Sequence, residues 1–251
     1  MKDHLFIQLR ELPYFRALVR AVEAGFYQTL DLPAPVLDIG CGDGHFAGST
    51  FDRRVDVGID LWHGPIHEAR KVGAYHYLVE ADGAAAPFPD GYFASAFSNS
   101  VLEHIPHVEG VLADVARVLM PGARFIFCVP NQRYFSELSL SRLLGKKYIE
   151  WFRRISRVHH ADRPDAWQER LERTGFRLEQ WWHYFPPAAM RVLEWGHYFG
   201  LPSLVAKRLT GRWIIAPTRW NLWLTERMIR RYATPEPVQD GTFTFYVARK
   251  A

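Results

Sequence analysis

Val36-Leu37-Asp38-Ile39-Gly40-Cys41-Gly42-Asp43-Gly44 is the stretch on which the reading of this chain turns. Val36, Leu37 and Ile39 are apolar and mostly β-branched, and with Pro35 before them they predict a short buried strand. Asp38 interrupts the apolar run, three glycines follow at alternate positions, and His45 to Phe51 reads as the opening of a helix. A strand, a glycine turn and a helix start let backbone come close to a ligand, because no Cβ stands in the way. The helix start adds unpaired N–H groups. The Gly-x-Gly-x-Gly spacing is one residue tighter than the pattern that cradles a dinucleotide pyrophosphate. A tight turn with no ligand accounts for one or two of these glycines, but hardly for three plus a buried acid.

Around this turn the chain alternates strands and helices. Upstream, Leu5, Leu9 and Leu12, then Leu18, Val22 and Phe26, fall at helical spacing with a break at Pro13. Downstream, Val55–Asp60, His76–Glu80, Tyr92–Ser98 and Ala123–Val129 read as strands, and Val108, Val111, Leu112, Val115 and Leu119 form a helical stripe stopped by Pro121-Gly122. Thr242 to Arg249 is a final alternating strand. Such alternation predicts parallel βαβ units and an α/β, doubly wound sheet.

Composition narrows the class. The 251 residues are 48% hydrophobic, enough for one domain of generous size. Two cysteines, Cys41 and Cys128, give neither a disulfide framework nor a zinc site, so no metal is expected and a reducing cytoplasm is. The first residues are too mixed for a signal peptide, and no apolar run approaches a spanning helix, so a soluble protein is expected. The formal charge of +4 conceals an asymmetry: residues 142–158 carry a net +5 and residues 207–231 a net +6, leaving −7 for the rest. Eight of the nine tryptophans follow residue 150.

Four ordered segments resemble the core of a class I S-adenosylmethionine-dependent methyltransferase, of the broad methyltransferase type 11-like subgroup with small-molecule substrates. They are residues 36–44, Val-Gly-Ile-Asp (57–60), Ala-Asp-Gly with Pro-Phe-Pro-Asp-Gly-Tyr-Phe (81–83 and 87–93), and Ser-Val-Leu-Glu-His-Ile (100–105). Leu119 to Phe125, His160 and Trp167 to Phe176 support them, so the resemblance covers about half of the chain. Ala94 departs from it, standing where many relatives have Asp.

The resemblance implies a mostly parallel seven-stranded sheet, Rossmann-like, with residues 1–34 as an N-terminal helical lid and 35–251 as the methyltransferase domain. Helical insertions at about 134–158 and 186–235 would form a cap. It implies S-adenosylmethionine as cofactor, S-adenosylhomocysteine as product, and a contact set of Asp38, Gly40, Cys41, Gly42, Gly44, Asp60, Leu61, Trp62, Ala81, Asp82, Gly83, Ser98 and Asn99. Asp38 would reach the cofactor ammonium or else anchor turn N–H groups; Asp60 would accept the ribose hydroxyls; Leu61 or Trp62 would wall the adenine, unless Trp62 is surface packing; Asp82 would receive the adenine amine or else cap a helix. His104 is the candidate base, against a packing role, and His159 and His160 are candidates for the substrate cleft. Arg16 or Arg20 would meet the cofactor carboxylate if their helix closes as a lid, against plain surface exposure.

The expected acceptor is small or lipid-linked and methylated at oxygen. The alternatives are a cofactor-binding regulator without catalysis, an RNA methyltransferase, and, least favoured, a nicotinamide oxidoreductase. The basic, Trp-rich helices at 146–158 and 218–232 have two readings: cap helices with apolar sides on the core, or a dock for a phosphate-bearing substrate or the anionic inner face of a membrane. RNA ranks third, since no RNA-binding module is visible.

Overall fold

The computed structural model describes residues 2–251. It opens with α1 (His4–Leu9) and α2 (Tyr14–Tyr27), separated at Pro13, whose ψ of 143° is outside the helical range. Their leucine stripe is buried: Leu5, Leu9, Leu12 and Leu18 all pack inward. The wound core follows as β1 (Val36–Ile39), α3 (His45–Thr50), β2 (Val55–Asp60), α4 (His63–Val72), β3 (Tyr75–Glu80) and β4 (Phe93–Asn99). A 3₁₀ turn, Leu102–His104, leads into α5 (Val108–Val118) and β5 (Leu119–Pro130). After α6 (Arg133–Ser136), α7 (Ser141–Ser156) and α8 (Pro164–Arg173) comes β6 (Phe176–Tyr184). The helices α9 (Pro187–Phe199), α10 (Leu201–Thr210) and α11 (Arg219–Ile229) then separate β6 from β7 (Phe243–Lys250).

The seven strands lie in the order β3-β2-β1-β4-β5-β7-β6. The first five are parallel, and β7 enters antiparallel between β5 and β6, pairing Ile126 with Val247 on one side and Tyr184 with Phe243 on the other. The winding direction reverses between β1 and β4. In a sheet of this kind that reversal opens a crevice at the carboxyl ends of the strands, and there ligands bind. Core residues fill both faces: Leu18, Val22, Tyr27 and Phe245 on one, Phe93, Val111, Phe127 and Trp167 on the other.

Two elements differ from the sequence expectation. Strand β5 begins at Leu119, before Pro121-Gly122, because Leu119 already pairs with Phe93. The ladder then skips across Gly122 (φ 75°) and resumes at Arg124, so Pro-Gly marks an irregularity inside the strand and the helix stops earlier. In the insertions, α7 buries Tyr148 and Phe152, with its backbone broken at Gly145, whereas α11 turns only Leu222 and Ile229 inward. Trp220, Trp223, Leu224 and Met228, the apolar side that only the cap reading set on the core, face outward, and Leu222 and Ile229 point inward instead.

Candidate active site

The glycine turn follows β1 at the crevice. Gly40, Gly42 and Gly44 all have positive φ, between 55° and 75°. At Gly40 an added Cβ would run into Val101, 2.4 Å away, whereas at Gly42 it would meet nothing within 4 Å. Gly42 borders open space and keeps backbone accessible there. Its N–H donates to Asp60 Oδ2 (2.9 Å), and Asp60 Oδ1 accepts from Trp62 N (3.0 Å). The carboxylate that ends β2 thus holds the glycine turn and the start of α4 together.

That space is a cavity of about 330 Å³ bordered by Asp38, Gly40, Cys41, Gly42, Asp60 and Asn99 from the sheet side, and by Arg16 and Arg20 from α2. A larger groove, about 680 Å³, lies beside Val36 and Val55 where the strands begin, away from the carboxyl ends.

Asp38 is buried, and Tyr75 Oη (2.6 Å) is its one hydrogen-bond donor among the described residues. Burial pushes its carboxyl up to about 7, against the pull of the Tyr75 hydroxyl and the Arg20 charge, with Asp60 pushing the same way as burial. A carboxyl so placed is short of a cation.

The N-terminal helix is wired into this edge by residues that sequence reading missed. Glu23 is fully buried and accepts from Asn99 Nδ2 (2.8 Å), Ser100 Oγ (2.9 Å), Tyr184 Oη (2.9 Å) and Arg20 Nη1 (3.2 Å). Arg20 also donates to the Asn99 carbonyl (2.9 Å). The expectation of simple surface exposure fails for Arg20, whose side chain is only 20% exposed; Arg16 is exposed, yet borders the cavity. Ser100, beside this network, is held at φ 52°, a conformation that needs such support in a residue with a Cβ.

The other expected contacts fall into two groups. Leu61 and Trp62 are exposed at the end of β2, and Ala81, Asp82 and Gly83 follow β3; Asp82 takes the Ala84 N–H (2.9 Å) and thereby closes a turn, not a helix. Gly44 starts α3. Ser98 does not join the cavity: alternation along β4 turns it away from the side Asn99 faces, and its hydroxyl donates to the Ile39 carbonyl (2.9 Å).

Beside the cavity, a cleft of about 820 Å³ is lined by Trp62, His104, Arg153, Arg154, Arg157 and His159, with Glu150 as the acid there. His104 Nδ1 lies 2.9 Å from the Arg157 carbonyl, which only accepts, so Nδ1 carries a proton, and Nε2 faces Glu103 Oε1 at 3.8 Å. His159 belongs to the same cleft, but His160 does not: its Nε2 bonds the Ile105 carbonyl (2.9 Å) and its Nδ1 faces Asp162 (3.5 Å), clipping the loop before α8 to the 3₁₀ turn. Asp162 raises the His160 pKa accordingly. Glu103, next to His104, is buried with Oε2 unpartnered, and burial lifts it to about 7.

Residues 37–127 match the family described as "Methyltransferase domain". The chain is 27% identical over 129 residues to malonyl-[acyl-carrier protein] O-methyltransferase of Serratia marcescens, covering 50% of this chain and 51% of that one. It is 38% identical over 90 residues to the ubiquinone/menaquinone biosynthesis C-methyltransferase UbiE of Brucella canis, covering 36% and 31%. The chain therefore matches about half the length of the first relative and a third of the second. Among solved structures, a SAM-dependent methyltransferase of Thermotoga maritima superimposes with a TM-score of 0.60 at 15% identity, covering 94% of this chain and 91% of that one, a likeness of fold.

Proposed function

The chain carries a class I S-adenosylmethionine-dependent methyltransferase domain, and from that premise we propose that it methylates the oxygen of a small or lipid-linked acceptor bearing a carboxylate or phosphate. The observation that carries the reading is the meeting, in one cavity, of a cation-seeking Asp38, a bare Gly42 backbone and the Arg16–Arg20 pair.

These residues fit an amino-acid nucleoside. Asp38 would hold its ammonium, Arg16 and Arg20 its carboxylate, and Asp60, with one backbone donor on each oxygen, has lone pairs left for ribose hydroxyls. Trp62 and Leu61 would cover the base, and Asp82 would take its amine. When bound, the cofactor supplies a methyl group on a sulfonium, already joined to a good leaving group. What remains for the protein is to align the acceptor and exclude water.

The adjacent cleft supports an anionic acceptor, since Arg153, Arg154 and Arg157 form no salt bridge among the described residues. His104 Nε2 would take the proton of a hydroxyl acceptor, while a carboxylate acceptor needs no base. The Serratia relative is named for an oxygen acceptor and the Brucella relative for carbon, so the choice of oxygen rests on this cleft.

Calorimetric titration with S-adenosylmethionine, followed by transfer of labelled methyl to carboxylate, phosphorylated and phenolic acceptors, tests the proposal. Arg154→Gln and Arg157→Gln should raise the acceptor KM and leave cofactor affinity unchanged. Cofactor binding with no transfer to any of these would favour a regulator; an unmoved KM would overturn the anionic acceptor.

A further inference from the structure

Helices α10 and α11 each leave an outward side on which apolar and cationic side chains are interleaved. On α11, Trp220 is 89% exposed, Trp223 59%, Leu224 60% and Met228 63%. At 100° per residue these four, together with Arg227, fall within an arc of roughly 140°, opposite Leu222 and Ile229, which anchor the helix inward. On α10, Leu204, Val205 and Leu209 are likewise exposed. Behind α11, a pocket of about 550 Å³ is lined by Trp195, Phe199, Met228 and Tyr232, with Arg191 and Arg231 beside them.

The charge along this segment is almost all of one sign. Among residues 207–231 the single acid is Glu226, and Glu226 is engaged with Arg230, which also reaches Asp3 (2.8 Å). Arg208, Arg227 and Arg231 are exposed and make no salt bridge among the described residues, whereas Lys207 and Arg212 border a groove shared with Glu11, Asp43 and Glu68, and Arg219 lies over the Phe6 ring (4.6 Å). A second copy of the chain on this face would set these cations against their own kind. Nucleic acid would satisfy the cations and the tryptophans but gives Leu204, Val205, Leu209 and Leu224 nothing to pack on. An anionic bilayer satisfies all three: phosphates for the cations, the interfacial zone for tryptophan, acyl chains for the aliphatic groups.

We propose that α10 and α11 dock on the surface of a bilayer containing anionic phospholipid, with Trp220 and Trp223 inserted at headgroup depth. This stands apart from the methyltransferase reading, because none of these residues borders the cofactor cavity. No helix among the described residues is long and apolar enough to cross a membrane, so the contact is peripheral.

The test is co-sedimentation of the full chain with vesicles of phosphatidylcholine alone or mixed with phosphatidylglycerol, at low and raised salt. Binding should require phosphatidylglycerol and weaken with salt. It should fall by about fivefold for each of Arg227→Gln and Arg231→Gln, and fall further in Trp220→Ser/Trp223→Ser, with calorimetric cofactor affinity unchanged in every variant. Brominated acyl chains should quench tryptophan fluorescence of the unmodified protein, a readout that needs no variant. Absent binding, equal binding to both vesicles, a dimer lost in the tryptophan variant, or capture of single-stranded RNA with vesicles ignored would each overturn the proposal.

Discussion

If Asp38 holds the cofactor ammonium as proposed, cofactor binding should release a proton. Its carboxyl is raised to about 7 in the free protein, chiefly by burial. The folded chain therefore holds a proton that the unfolded chain gives up near the ordinary aspartate value. The sign follows: stability is greatest below that ordinary value and declines as pH rises towards about 7, where the folded carboxyl ionises. An ammonium in the cavity reverses the preference, since it pairs only with the carboxylate. At ~pH 6 the carboxyl would be ionised in about one molecule in eleven, and at ~pH 8 in nearly all, so affinity for S-adenosylmethionine should rise about tenfold between the two.

Calorimetry in two buffers of different ionisation enthalpy should show about half a proton released per binding event near pH 7. Asp38→Asn removes a charge-assisted bond worth about 1.5–3 kcal/mol, so at ~pH 8 affinity should drop about 10- to 150-fold, and the pH slope should vanish with it. Tyr75→Phe keeps the carboxyl but deletes its donor, and should move the midpoint upward. A wild-type affinity that is flat across this range, or a slope that persists in Asp38→Asn, would refute the reasoning.

Other changes probe the same edge. Asp60→Ala deletes the acceptor for Gly42 and Trp62 and, on the proposed reading, for the ribose, and should weaken cofactor binding by about 10- to 150-fold in calorimetry, at about 1.5–3 kcal/mol per bond to a charged group. Gly42→Ala forces a Cβ into the left-handed region, costing about 1–2 kcal/mol by denaturant melts; because its methyl enters open space, the larger loss should be in cofactor affinity. Glu23→Ala strands Arg20, Asn99, Ser100 and Tyr184, and should lower stability by about 3–5 kcal/mol, measured by urea unfolding.

The strands, the glycine turn and the apolar stripe of α2 (Leu18, Val22, Phe26) were legible because each is a local pattern whose period the backbone geometry enforces. Glu23 was not, for on α2 it reads as one more polar residue beside Val22 and Phe26. Its partners Asn99, Ser100 and Tyr184 arrive from 76 to 161 residues away, and no local period encodes them. The orientation of α11 was left open between two readings for a related reason. Periodicity shows that a helix has an apolar side, but Leu222 and Ile229 suffice to anchor this one, and what they rest against is set by the fold. Ser98 and Asn99 differ by one position, and the alternation of β4 separates a strand-to-strand tie from a cavity wall. That distinction was available once the strand was drawn.

The placement of β7 bears on how the protein is made. Strand β6 touches the sheet only through β7, and β5 offers β7 its outer edge, yet β7 is translated well after both, beyond the three helices α9–α11. A ribosome-bound chain that has emerged through α11 therefore carries the two bare strand edges that β7 will later pair. Chaperone capture at that moment would cover these edges until the inner strand arrives to zip them shut.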